Sequence, residues 1–336
     1  MRNKLLLPLL LLSLSFGSCS KILFEKDQAS KDPQENFDYL WNEANRKYAY
    51  FDVKGIDWSQ IKTTYQAKLY TGMSDDSLFH VLGAMLNELK DDHTNLISGF
   101  NISGYGVRFL GPDNFDWRVI EDRYLNKKFQ TSGPFQHDFL DSGRVGYVRF
   151  GAFTGTVSDY NMDYIINRYQ NTKGLILDLR ENGGGAAVDI FNILNRFVDE
   201  KTLLYYSRIK TGEGKNDFSD PEPVYVTPYK GQRYTGKKVM VLTDRGTYSA
   251  GSFTSLSTKA LPNMIMVGDT TGGGLGMPNG GQLPNGWTYR FSVTQAMNLD
   301  KDPSWEQGVP PDIFVRFNWN DMTRDEVLDR ALAELK

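Results

Sequence analysis

Cysteine is almost missing from this 336-residue chain, and Cys19 is the only one. A lone cysteine excludes an internal disulfide framework. A surplus of basic charge is missing too. The formal net charge is −3, with Lys, Arg, Asp and Glu scattered along the chain. No basic stripe matches a phosphate backbone, so no nucleic-acid partner is expected. Histidine is scarce, with only His80, His93 and His137 available for proton transfer. The glycine-rich turn at Gly183–Gly185 is not followed by Gly-Lys-Ser/Thr, and the dinucleotide spacing is absent. No metal and no cofactor are expected.

Long apolar runs are also lacking, with one exception at the N-terminus. Arg2 and Lys4 precede an almost unbroken leucine run from Leu5 to Leu14, which is too short to span a bilayer comfortably. It ends in Ser15-Phe16-Gly17-Ser18-Cys19. Small residues directly before a cysteine resemble a bacterial lipobox, although Phe16 stands where an aliphatic residue is usual. Residues 1–19 are therefore read as a lipoprotein signal peptide, with Cys19 as the lipidated residue and the membrane as a partner through that anchor. The alternative is an ordinary cleaved signal peptide with an incidental cysteine. Either reading places the mature chain outside the cytoplasm.

What remains has ordinary globular composition, 40% hydrophobic and 24% charged. That is enough for one sizeable core and a smaller satellite. Residues 20–35 are polar and read as a tether. Residues 36–98 carry helical spacing: Phe37, Leu40, Trp41, Ala44 and Tyr48, then Trp58, Ile61, Tyr65 and Leu69. A third stripe, Leu78, Leu82, Met85, Leu86 and Leu89, follows Ser74 as N-cap and Asp75 and Asp76 in the first turn. Residues 99–142 form an irregular connecting segment without sustained period. From 143 to 336 strands and helices alternate. Buried strands are expected at Val145–Phe150, Gly174–Leu179, Lys238–Thr243 and Met264–Gly268. A hairpin is expected over Gln282–Met297, around Pro284-Asn285-Gly286, and a last helix opened by Thr323-Arg324-Asp325-Glu326 as a capping box. The pattern predicts an α/β fold around a largely parallel sheet, with a small N-terminal helical bundle.

Two segments could carry chemistry. Asp178-Leu179-Arg180-Glu181-Asn182-Gly183-Gly184-Gly185 breaks a strand into a curve of backbone N–H groups able to hold an oxyanion, or is simply a tight turn. In Asp244-Arg245-Gly246-Thr247-Tyr248-Ser249-Ala250, a strand passes through a short loop to a serine at a helix start. There the Ala250 N–H and the helix field favour developing negative charge, though a plain N-cap serine fits equally well. Ser252 and Ser255 fall inside the helix. His80 lies mid-helix and His137 in an irregular stretch, whereas His93 sits at a frayed helix end beside two carboxylates. Glu306 lies in a turn bounded by glycine and proline.

Taken together, these segments resemble the C-terminal-processing (tail-specific) serine peptidases, and especially the subgroup containing the tricorn protease core. The family's Asp-x-Arg-x-Asn-x-Gly-Gly pattern matches Asp178 to Gly185. Its nucleophile segment matches Thr247-Tyr248-Ser249-Ala250, and its late Glu motif matches Glu306-Gln307-Gly308-Val309-Pro310-Pro311-Asp312, one residue shorter before the glycine. Its early Asp-Gly-His-Thr becomes Asp91-Asp92-His93-Thr94. The resemblance implies a ClpP/crotonase-like core and a polypeptide substrate. The classical branch uses a Ser–Lys dyad, but the corresponding stretch Gly272–Gly276 has no lysine, and Lys259 falls on the helix. The tricorn-like branch uses Ser, His and Glu, which implies Ser249 as nucleophile, His93 as base and Glu306 as orienting carboxylate.

By the same resemblance, Gly183, Gly184 and Ala250 would form the oxyanion and substrate-binding turn, supported by Asp178, Arg180 and Asp92. Asp92 replaces the family's glycine; it would either raise the histidine pKa or point to solvent. The segment between Phe100 and Gly143 is too short for the PDZ domain of many relatives, so substrate selection falls to the core groove and the Gly272–Gly286 loops. A catalytically silent ligand-binding relative and an esterase with the same triad are the competing readings.

Overall fold

The computed structural model describes residues 29–336, so the calls on the signal peptide and on Cys19 lie outside the described residues. Three helices open the described chain: α1 (Pro33–Lys47), α2 (Trp58–Gln66) and α3 (Asp75–Asn87). Asp32, Asp57 and Ser74 cap them, each accepting a backbone N–H three residues on. Their apolar stripes bury Phe37, Leu40, Trp58, Tyr65, Leu82 and Met85 in one cluster, which also takes in Leu283, Tyr289 and Phe291 from far along the chain. The helical bundle is thus completed by a later hairpin.

The segment without period is more ordered than its sequence suggests. β1 (Asn95–Ile97) precedes it, at the end of the stretch read as helical; the segment itself runs through short helical turns over Trp117–Tyr124 and ends in β2 (Gln130–Ser132) and β3 (Phe135–Leu140). Its strands are short and lie at a sheet margin, which is why alternation is weak. The chain then runs β4 (Val145–Phe150), α4 (Asp159–Tyr169), β5 (Gly174–Asp178), α5 (Val188–Leu194), β6 (Thr202–Ile209), β7 (Glu222–Val226), β8 (Lys238–Thr243), α6 (Ala250–Thr258) and β9 (Met264–Gly268). It closes with β10 (Pro278–Gln282), β11 (Thr288–Ser292), β12 (Thr294–Met297), β13 (Ile313–Phe314) and α7 (Glu326–Glu334).

The main sheet has the order β13-β9-β8-β5-β4-β3-β2, parallel from β13 to β4 and antiparallel at the β3 and β2 margin. Successive residues of its central strands alternate between two cores. Leu175, Leu177, Val239 and Val241 meet α4, α5 and α6, while Ile176, Met240 and Leu242 meet α7. Burial on both faces explains why these strands read as continuous apolar runs. The predicted hairpin is shifted. Its arms are β10 and β11, and β12 leaves to pair with β6. The final helix is capped by Asp325, which accepts the Leu328 N–H, and not by Thr323, whose hydroxyl bonds Asp321.

Candidate functional site

The loops after β5 and β8 leave the sheet at its carboxyl edge, the usual crevice of an open α/β sheet. They are laced together. Asp244 Oδ1 accepts the N–H groups of Glu181 (2.9 Å) and Thr247 (3.0 Å), and Thr247 Oγ1 donates to the Leu179 carbonyl at 2.8 Å. The Tyr248 N–H donates to the Asn182 carbonyl, and the Ser249 N–H to the Gly273 carbonyl. Burial pushes the Asp244 carboxyl up to about 6. The result holds Ser249 at φ 55°, ψ −121°, a costly conformation for a residue with a Cβ.

Ser249 occupies the N-cap position of α6, yet its side chain makes no cap hydrogen bond. Its Oγ lies 2.9 Å from His93 Nε2, across 156 residues of sequence. The hydroxyl thus faces an imidazole and does not cap its own helix. The His93 ring is buried and packs against Tyr248, with centroids 5.0 Å apart. Burial, with Arg290 and Lys54 adding to it, outweighs the opposing pull of Asp91 and holds the imidazole pKa below its ordinary value. A neutral ring can accept the serine proton. Its Nδ1 has no hydrogen-bond partner among the described residues, although the Gly276 backbone lies close enough to favour the charged ring.

Asp91 anchors His93 from behind. Its Oδ1 accepts the His93 backbone N–H at 2.9 Å and the Tyr248 hydroxyl at 3.0 Å, and its Oδ2 accepts the Ser292 hydroxyl at 2.8 Å. Burial raises the Asp91 carboxyl, but Lys54, His93 and these hydrogen bonds prevail and keep it below the usual range. The Lys54 ammonium sits between two carboxylates, 3.1 Å from Glu306 and 3.9 Å from Asp91, with only 6% of its side chain exposed. Burial lowers the Lys54 pKa and the two carboxylates overcome it, for a net rise. Glu306 does not touch the imidazole. Its Oε2 accepts the Leu275 N–H at 2.6 Å, and burial drives its pKa up to about 7 against the pull of Lys54.

The other expected residues fall as follows. Asp92 neither points to free solvent nor sits on the imidazole; it accepts the N–H groups of Gly106 (2.5 Å) and Val107 (2.7 Å) and fixes that loop. Asp178 and Arg180 lie fully buried away from the serine. Arg180 binds Asp178 at 2.6 Å and Asp325 at 2.7 Å, and the Tyr147 hydroxyl donates to Asp178, tying the sheet to α7. The Gly184 N–H, expected to face an oxyanion, instead donates to Asn182 Oδ1 at 2.9 Å. The N–H groups of Gly183 and Ala250 donate to no atom among the described residues, and both residues line the cavity in front of Ser249. Gly184 contributes space: at φ 92°, an added Cβ would lie 2.6 Å from that of Ser249. His80 is exposed on α3, and His137 is buried against the Tyr169 hydroxyl.

The cavity measures about 460 Å³ and has an apolar floor of Ala187, Ala250, Phe253, Met277 and Pro278. A serine with an aligned imidazole, two spare N–H groups and an open trough is suited to acyl transfer. Lys54, Asp91, Tyr248 and Ser292 were missed by reasoning from sequence. The only signal was the position of Asp91 two residues before His93.

A family model for peptidase family S41 matches residues 144–315, and one for the tricorn protease C1 domain matches residues 29–87. The chain belongs to peptidase family S41. A crystal structure of a candidate peptidase from Parabacteroides merdae ATCC 43184 is similar to this S41 chain, with TM-score 0.86 and 36% identity over 91% of this chain and 97% of that one. Mature CPAF shares the fold at TM-score 0.69 and 15% identity, over 91% of this chain and 97% of its own. The carboxy-terminal processing protease CtpA of Bacillus subtilis (strain 168) is 23% identical over 175 residues, which is 52% of this chain and 35% of that protein. The match thus spans about a third of that relative's length. The α/β architecture is that of the S41 peptidases.

Proposed function

We propose that this chain is an exported, lipid-anchored serine peptidase in which Ser249 is the nucleophile and His93 its general base. The observation that carries the reading is the 2.9 Å contact between Ser249 Oγ and His93 Nε2, made by a serine that holds an N-cap position without capping. In the first step Ser249 Oγ forms a bond to the scissile carbonyl carbon while its proton passes to His93 Nε2. The carbonyl oxygen becomes an oxyanion, received by the N–H groups of Ala250 and Gly183. The imidazolium then donates its proton to the leaving amine as the C–N bond breaks, which leaves an acyl-enzyme. Water attacks this ester in the reverse sense and restores Ser249.

Asp91 supports the base by fixing its backbone, and Lys54 joins Asp91 to Glu306. Glu306 acts at a distance, through that ammonium and through the Leu275 N–H that positions the backbone leading to Gly276. An extended peptide lies along the cavity beside β10, an edge strand of its sheet. The Leu5–Leu14 run and Gly17-Ser18-Cys19 support export and lipid attachment. Among the described residues no helix is long and apolar enough to cross a membrane.

The test is cleavage of an unfolded polypeptide such as casein. The wild-type chain cuts it, and Ser249→Ala and His93→Ala each lose activity by about 10⁴-fold or more. A folded wild-type chain that binds the polypeptide without cutting it sinks the proposal in favour of the silent ligand-binding alternative.

A further inference from the structure

One cation lines the cavity in front of Ser249. Arg290 stands on β11, opposite Asn95 of β1 on one side and Gly280 of the edge strand β10 on the other. Its Nε donates to Asn95 Oδ1 at 2.6 Å, which fixes the guanidinium plane. Among the described residues its two Nη groups donate to nothing, and no carboxylate lies within ion-pair distance of it. Asp92, the only acidic residue lining the cavity, has both oxygens committed to the Gly106 and Val107 N–H groups. The rest of the lining is apolar or backbone apart from His93, Tyr248 and Ser249. An oriented arginine with an unused fork, in a trough whose one carboxylate is held by two backbone N–H groups and makes no ion pair with it, matches a carboxylate of a ligand.

We infer that Arg290 binds a carboxylate of the polypeptide substrate, and so selects chains that present a C-terminal carboxylate or an acidic side chain at this point. The inference rests on the peptidase reading of the same cavity. It also has a kinetic consequence. Burial is the main cause of the lowered His93 pKa, and the Arg290 charge adds to it, so Arg290 opposes formation of the imidazolium. A bound carboxylate neutralises that charge when the proton arrives at Nε2. Substrates with the carboxylate therefore gain in kcat as well as in KM.

The experiment uses three peptides sharing one neutral, extended core: a free C-terminus, a C-terminal amide, and the amide with one acidic residue. Binding is measured by fluorescence anisotropy on the Ser249→Ala chain, and kcat and KM on the wild type. At least one carboxylate peptide is expected to bind about tenfold tighter than the neutral amide. A preference for the first peptide assigns the terminal carboxylate, and a preference for the third assigns a side chain. Arg290→Met should bring the binding ratio to within about twofold, and Arg290→Lys should restore part of it. Equal binding of all three peptides overturns the inference, as does a preference that survives in Arg290→Met. Because binding is read without chemistry, a chain that discriminates yet cleaves nothing refutes the peptidase reading and leaves Arg290 as the carboxylate site.

Discussion

Ser249 and His93 come together only because several buried charges are balanced around them. His93, held below its ordinary pKa, is neutral at pH 7, so the acid limb of kcat/KM is expected below pH 6.5. A pH–rate profile with its acid midpoint at 7 or above contradicts this. Glu306 supplies a second pH signature. Its folded pKa, raised from 4.5 to about 7, means that between those values the folded chain keeps a proton that the unfolded chain has released. Its contribution is therefore fully present below pH 4.5 and is lost as pH rises to 7, by up to about 1.4 kcal/mol per pH unit. Urea midpoints at pH 5, 6 and 7 should converge on those of Glu306→Gln or fall below them as pH rises. A constant difference refutes it. Lys54→Met removes the ammonium between Glu306 and Asp91 and is expected to cost about 3–5 kcal/mol in the same assay, since two buried carboxyls are left uncompensated. A loss below about 1 kcal/mol would mean that the pair is not electrostatically coupled through Lys54.

The elements that carry the site explain what the sequence made legible. Ser249 and the glycine turn lie just past strand ends, and Glu306 lies on a 3-10 turn (Ser304–Gln307) closed by Gly308, so strand-to-loop transitions and glycines mark position. His93 lies just past α3, where helical spacing stops. Asp91 was harder to separate from Asp92, because adjacent carboxylates look alike until the chain turns; one then faces Tyr248 and Ser292 and the other the Gly106 loop. Which glycine N–H stays free was equally illegible, since it depends on the Asn182 side chain folding back onto Gly184. Gly184 has a steric role that mutation can read. Gly184→Ala places a Cβ 2.6 Å from Ser249 Cβ and 2.7 Å from the Tyr248 carbonyl at a positive φ, so the α6 start must shift. We expect about 1–3 kcal/mol of destabilisation and a fall in kcat of at least about a hundredfold. Activity within twofold of wild type would show that the turn tolerates the displacement.

At the scale of the whole molecule, the N-terminal region brings Lys54, Asp91 and His93 to a serine held by the parallel sheet. Lys54 was invisible in sequence because its role needs three distant segments at once: the stretch after α1, the end of α3 and the turn before β13. The two parts are joined by specific bonds. The Tyr50 hydroxyl donates to the Leu275 carbonyl at 2.9 Å and accepts the Ala296 N–H at 3.1 Å, and Leu275 in turn presents its N–H to Glu306. The Ala296 N–H also donates directly to the Leu275 carbonyl at 3.2 Å, so Tyr50→Phe leaves the two backbone groups with that one bond and should cost about 0.5–1.5 kcal/mol in thermal or urea unfolding. Activity at constant temperature should fall with it, because the lost contact borders the Glu306 bond. Unchanged stability would show that the direct bond between the two backbone groups suffices without the hydroxyl. The effects on activity presuppose a reactive serine, and the most direct measurement is covalent labelling. With a fluorophosphonate probe and mass spectrometry of the digested chain, the account predicts one adduct on Ser249, absent from Ser249→Ala and strongly slowed in His93→Ala. A correctly folded wild-type chain that takes up no probe at Ser249, or labels as fast without His93, contradicts it.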